Sequence, residues 1–133
     1  MRVVLDTNVL ISSFIGRGTS HKVLEHCIRH HQVVTSQFIL DELREKLVKK
    51  FKYTSEVAEE AIGLLLSQIE VIIPQPLPSP VCRDADDDNI LAAALIGGCE
   101  RIITGDKDLL VLQWFNNIEI VNPATFAAAE GLE

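Results

Sequence analysis

Acidic residues that could hold a metal ion stand at four places in this chain where the local pattern changes. Asp6 closes the apolar run Arg2-Val3-Val4-Leu5. Arg83-Asp84-Ala85-Asp86-Asp87-Asp88 packs four carboxylates into five positions, just before an alanine-rich stretch. Asp106 and Asp108 follow Arg101-Ile102-Ile103-Thr104-Gly105, and Glu42 lies within Asp41-Glu42-Leu43-Arg44-Glu45. Oxygen donors unaccompanied by cysteine or histidine clusters select hard cations, Mg²⁺ or Mn²⁺. Such ions activate water and stabilise charge on phosphate, so the chemistry in view is phosphodiester hydrolysis.

Each acid also has a plainer role. Asp6 and Asp106 suit helix N-caps. The 84–88 run is favoured by the positive end of a helix dipole, worth about 0.3–1 kcal/mol per charge. One or two acids would meet that need, and four together repel one another. Once the segment is helical, Asp84 and Asp88 share a face while Asp86 and Asp87 point elsewhere. Glu42 is not separable from Glu45 by spacing, since a solvated charged face accounts for both.

Short β-branched runs at 2–5, 32–35, 70–73, 101–104 and 118–121 read as five strands. Between them lie helices. Val9, Leu10, Ser13 and Phe14 mark the first, stopped by Gly16-Arg17-Gly18. Ser20 caps a second, with Val23, Leu24, Cys27 and Ile28 inward. Ser36 caps a third with Ile39, Leu40, Leu43, Leu47 and Val48 inward. A helix from Thr54-Ser55 to about residue 69 carries Val57, Ala61, Leu64 and Leu65, with Leu66 as a further candidate, as its apolar residues. Another covers 86–96, a short one follows Asp106, and Pro123 opens the last. Four of the five prolines fall in 74–80, an extended loop. Strands alternating with helices predict an α/β three-layer sandwich around a mainly parallel sheet. Ligands in such sheets sit beyond the carboxyl strand ends where the strand order reverses, which is where Asp6, Asp106 and the 84–88 run fall.

At 133 residues, 47% hydrophobic and 23% charged, residues 1–133 read as one globular domain. The net charge of −7 argues against a surface that grips nucleic acid all over, but not against a cation-loaded site. Cys27, Cys82 and Cys99 are scattered and odd in number, as expected of reduced thiols in a cytoplasmic protein. No run is long enough for a membrane span. His21, His26, His30 and His31 sit on a basic helix without cysteine ligands, which reads as a solvated face or loose RNA contact rather than a zinc site.

The chain resembles the PIN-domain family over essentially its whole length, in particular the VapC-like ribonucleases, toxins of toxin–antitoxin systems. The resemblance rests on Val4-Leu5-Asp6-Thr7-Asn8-Val9-Leu10, on Ser36 through Glu42-Leu43, on Arg83 through Ala94, and on Ile103-Thr104-Gly105-Asp106-Lys107-Asp108-Leu109-Leu110. It implies a PIN-like sandwich with a five-stranded sheet, and a metal site lined by Asp6, Glu42, Asp88 and Asp106. Asn8, Thr104 and Asp108 would support that site, with Asp84 or Asp87 sharing the place of Asp88. It further implies hydrolysis of RNA with Mg²⁺ or Mn²⁺, neutralisation by a small antitoxin, and self-association. Arg17, His21, Lys22, Arg44, Lys46, Lys49, Lys50 and Lys52 flank the expected site and could steer RNA, although such runs are commonly solvated helix faces.

Two other functions fit parts of the pattern. A catalytically silent RNA- or protein-binding module would keep the acids as structure. A Mg²⁺-dependent phosphatase would use Asp6 as nucleophile, but that chemistry wants a second Asp two residues on, and position 8 is Asn.

Overall fold

A computed structural model describes residues 1–16 and 18–132; of the expected stop Gly16-Arg17-Gly18, Arg17 lies outside the described residues and Gly16 ends the first helix. In chain order the elements are β1 (Arg2–Leu5), α1 (Thr7–Ile15), α2 (Thr19–His30), β2 (Gln32–Ser36), α3 (Gln37–Lys49), α4 (Ser55–Leu66) and β3 (Glu70–Ile72). Then follow α5 (Ala85–Ile96), β4 (Arg101–Ile103), α6 (Lys107–Leu110), β5 (Trp114–Phe115), β6 (Ile118–Val121) and α7 (Pro123–Ala129). The strands form one sheet in the order β3-β2-β1-β4-β6-β5, parallel throughout except for the β5–β6 pair.

This is the expected mainly parallel sheet flanked by helices, with one strand more than the five expected. The addition is β5, two residues that fold back on β6 through a turn at Asn116-Asn117, with Asn116 at φ 50°. Two residues are too few to show a period.

β1 and β4 occupy the centre, and Val3, Val4, Leu5, Ile102 and Ile103 are at most 1% exposed. Such strands are buried on both faces, which is why they read as unbroken apolar runs. α5 lies across β1, β2 and β4. Its Ala92, Ala93 and Ala94 are buried, and these small side chains let the helix axis approach the strands.

The remaining helices follow the expected pattern with two exceptions. α2 starts at Thr19 with Gly18 at its N-cap and no side-chain cap, so Ser20 does not cap it. α4 turns Ala58, Ile62 and Leu65 inward, leaving Val57 and Leu64 exposed. Ala58, Ile62 and Leu65 are spaced i, i+4, i+7, and so are Val57, Ala61 and Leu64, so two neighbouring apolar stripes compete on one helix. Packing against α3 decides between them.

α5 ends at Gly97, which has an ordinary φ of −71° but no room. A Cβ there would lie 2.8 Å from both the Ala93 carbonyl oxygen and Val34 Cγ1. Gly97→Ala is therefore expected to destabilise the fold by about 1–3 kcal/mol through overpacking, read as a lowered urea midpoint. An unchanged midpoint would show that the end of α5 can retreat from β2.

Candidate metal centre

The sheet order reverses between β1, which leads to β2 and β3, and β4, which leads to β6. Register pairs Leu5 with Ile103, so the residues beyond these strands emerge side by side. The backbone N–H of Asp6 donates to the Ile103 carbonyl at 3.1 Å. Immediately above, the Thr104 hydroxyl donates a short hydrogen bond to Asp6 Oδ2 and accepts one from the Asp106 N–H at 3.0 Å. Thr104, fully buried, thus ties the first acid to the fourth.

Capping and site-building coincide here. Asp6 Oδ1 accepts from Val9 N at 2.9 Å at the start of α1. Asp106 Oδ1 accepts from Asp108 N at 2.8 Å at the start of α6, and Asp84 Oδ1 from Asp86 N at 2.9 Å at the start of α5. Three helices therefore begin around one crevice, each with a carboxylate at its positive end.

The crevice has a volume of about 190 Å³ and is lined by Asp6, Thr7, Asn8, Glu42, Lys46, Asp84, Asp86, Asp87, Ile90 and Asp106. Glu42 reaches it from α3 and takes a 2.7 Å hydrogen bond on Oε1 from the Thr7 hydroxyl. That partner is 35 residues away in sequence, which is why spacing could not separate Glu42 from Glu45. Lys46, one turn further along α3, donates to Asn8 Oδ1 at 3.1 Å.

Asp88 does not line this crevice. Its Oδ1 accepts from Cys82 N at 2.7 Å and its Oδ2 from Val81 N at 3.1 Å, so it anchors the end of the proline-rich loop. Burial raises its pKa, but those backbone donors outweigh it and leave the carboxyl below the usual range. Asp87, its neighbour, is the acid that enters. Asp87 is 7% exposed, and its Oδ2 has no hydrogen-bond partner. The ligand atoms of Asp87, Asp106 and Asp108 lie within 4.8 Å of one another. Asp108 is also held by Arg83 at 3.1 Å.

The electrostatics follow from this crowding. Burial pushes Asp6 up, against the pull of the Thr104 and Val9 hydrogen bonds, and the charge of Asp106 adds to the rise. Asp87 is pushed up to about 7 by burial first and then by Asp106. A buried carboxylate oxygen without a donor, facing further carboxylates, fits a divalent cation with oxygen ligands.

Of the basic residues expected nearby, Lys46 lines the crevice, whereas Arg44 is bound to Glu59 and Asp41, and Lys49 to Glu45. Arg17 lies outside the described residues. Two of the four histidines depart from the expected solvated face: His26 and His31 both hydrogen-bond Glu130, just beyond α7.

A family model described as a PIN domain matches residues 2–108. No curated protein matches the chain. Among solved structures, the chain is similar to VapBC2 from Rickettsia felis bound to a DNA fragment from its promoter, at 15% identity and a TM-score of 0.65, covering 92% of this chain and 98% of that one. It is also similar to VapBC-1 from nontypeable Haemophilus influenzae, at 18% identity and a TM-score of 0.64, covering 93% and 99%. A third is VapC20 of Mycobacterium tuberculosis, a Sarcin-Ricin loop cleaving toxin, at 14% identity and a TM-score of 0.61, covering 88% and 98%. At such identities the likeness speaks for the fold.

Asp87 carries a pH prediction. Its pKa is higher in the folded chain than in the unfolded one, so the native state holds the extra proton. The associated stability is complete below about pH 4 and is lost as pH rises through about 7. In EDTA the wild type should lose on the order of 2 kcal/mol between pH 5 and pH 8, a loss that Asp87→Asn largely removes. Parallel urea curves for the two proteins at both pH values would contradict the assignment.

Proposed function

The chain belongs to the PIN-domain family, and from that premise we propose that it is a Mg²⁺- or Mn²⁺-dependent ribonuclease, working as one domain in the cytoplasm. The observation that carries this reading is the convergence of Asp6, Glu42, Asp87 and Asp106 on one crevice, with an orphaned buried oxygen on Asp87. Asp6, Asp87 and Asp106 are proposed as the cation-holding carboxylates. Asp87 takes the place expected of Asp88, and Asp84 and Asp108 stand at the rim.

A divalent cation held there would stabilise charge on the scissile phosphate and make an attacking water more acidic. The chain's own residues do the positioning. Thr104 fixes Asp6 and the Asp106 backbone in one geometry, so neither carboxylate must be ordered when substrate arrives. With Oε1 held by Thr7, Glu42 offers Oε2 to accept a hydrogen from the attacking water. Asn8 holds Lys46 at the crevice wall, where its ammonium can meet a backbone phosphate that the surrounding acids would otherwise repel.

The VapBC neighbours support the reading of a toxin of a toxin–antitoxin pair, with an antitoxin protein as partner. Among the described residues no helix is long and apolar enough to cross a membrane.

The test is cleavage of single-stranded and stem-loop RNAs in Mg²⁺ or Mn²⁺, with EDTA as control. Wild type should cut, while Asp6→Asn, Asp87→Asn and Asp106→Asn should lose at least 100-fold in rate with folded spectra retained. Asp88→Ala should keep the metal-dependent rise in melting temperature while costing about 1–3 kcal/mol of stability, because two backbone N–H groups lose their acceptor. Cleavage surviving in Asp87→Asn but lost in Asp88→Ala would restore Asp88 to the site. Metal binding without cleavage of any of these RNAs would favour the silent binding module. Lys46→Met should raise KM several-fold with kcat little changed, as expected of a group that binds phosphate in ground state and transition state alike.

A further inference from the structure

At the amino ends of β1 and β2, the opposite end of the sheet from the acidic crevice, the fold builds a second convergent donor set. His26 comes from the last turns of α2, His31 from the residue that ends it, and Glu130 from the residue that ends α7. His26 Nε2 lies 3.0 Å from Glu130 Oε1, and His31 Nε2 makes a short contact with the same oxygen. One ligand atom from each residue falls within 4.8 Å of the others. All three side chains are partly buried, with 12–22% of their surface exposed, so they are ordered by packing yet open to one further ligand.

We propose that His26, His31 and Glu130 form a site for a borderline transition-metal ion, Zn²⁺ foremost, with water in the fourth position. Two imidazoles and a carboxylate make a nitrogen-rich set that hard Mg²⁺ does not favour and Zn²⁺ does. Tetrahedral zinc holds its ligands roughly 3.3 Å apart, given bonds of about 2.0–2.2 Å. Both distances from Glu130 Oε1 to the imidazole nitrogens already fall inside that separation, and all three ligand atoms lie within 4.8 Å of one another. Each imidazole binds through the Nε2 lone pair, with its hydrogen on Nδ1. For His31 that hydrogen would face the Met1 amine nitrogen, 3.1 Å from Nδ1, so the amine has to turn away when the ion binds.

The supports are rigid. α2 and α7 pack on one another, and the Phe126 ring stands edge-on to His31 at 6.2 Å between centroids. The ion would pin α7 to α2. Glu130 lies beyond residues 2–108, the stretch matched by the family model, whereas His26 and His31 lie within it. It is independent of the ribonuclease reading.

The experiment titrates Zn²⁺ and Co²⁺ into the full chain carrying Asp6→Asn and Asp106→Asn, which silence the acidic crevice. One equivalent should bind, Co²⁺ should give the intense visible absorption of a tetrahedral site, and melting temperature should rise with Zn²⁺ but not with millimolar Mg²⁺. Adding His26→Gln or, separately, Glu130→Gln should weaken binding at least tenfold and abolish the Co²⁺ spectrum, with far-UV circular dichroism confirming the fold. No bound equivalent, or an equivalent that persists in both variants, overturns the proposal.

Discussion

Mutual repulsion among carboxylates at the carboxyl ends of β1 and β4 is the constraint on which the surrounding structure turns. Six of the ten residues lining the crevice are Asp or Glu, and Lys46 is the one cation among them. The fold offsets part of this with helix N-termini. α1, α5 and α6 all start at the crevice, and each dipole is worth about 0.3–1 kcal/mol to a nearby charge. That does not suffice for Asp87, which burial and Asp106 drive up to about 7. The residual repulsion is a stored preference for positive charge, specific in place because the backbone around it is fixed.

What fixes the backbone is the most buried part of the chain. Asp6 and Thr104 are each the first residue past a strand whose side chains are almost wholly inaccessible, and the pairing of Leu5 with Ile103 sets their relative height. A one-residue slip would send the next side chain to the other face of the sheet and separate the acids. The alanines of α5 matter for the same reason. They let the helix settle close to β1 and β4, which brings its first turn, and Asp87 with it, over the ends of those strands.

Much of this was legible in the chain, because strong local patterns carried it. The apolar runs at β1 and β4 announce buried strands, Ser36 stands where a cap is found, Pro123 opens the last helix, and the strand–helix alternation implies the parallel sheet and its crevice. The illegible parts depend on partners distant in sequence. The face of α4 was misjudged because Ala58 and Val57 are both apolar and only contact with α3 chooses between them. Glu42 needed the hydroxyl of Thr7, and the histidines needed Glu130, about 100 residues on. β5 needed its partner strand to exist at all.

The run Asp84 to Asp88 shows why an acidic cluster resists reading by composition. Successive residues on a helix point about 100° apart, so neighbouring carboxylates cannot share a task. Here Asp84 caps the helix, Asp86 stays exposed at the rim, Asp87 faces Asp106, and Asp88 turns back to hold Val81 and Cys82. Spreading the four charges around the helix lowers their repulsion, and each finds a separate source of stabilisation except Asp87. The carboxylate without a donor is thus singled out by what its neighbours have already satisfied. That marks it as the position where a cation gains most, on grounds independent of any motif.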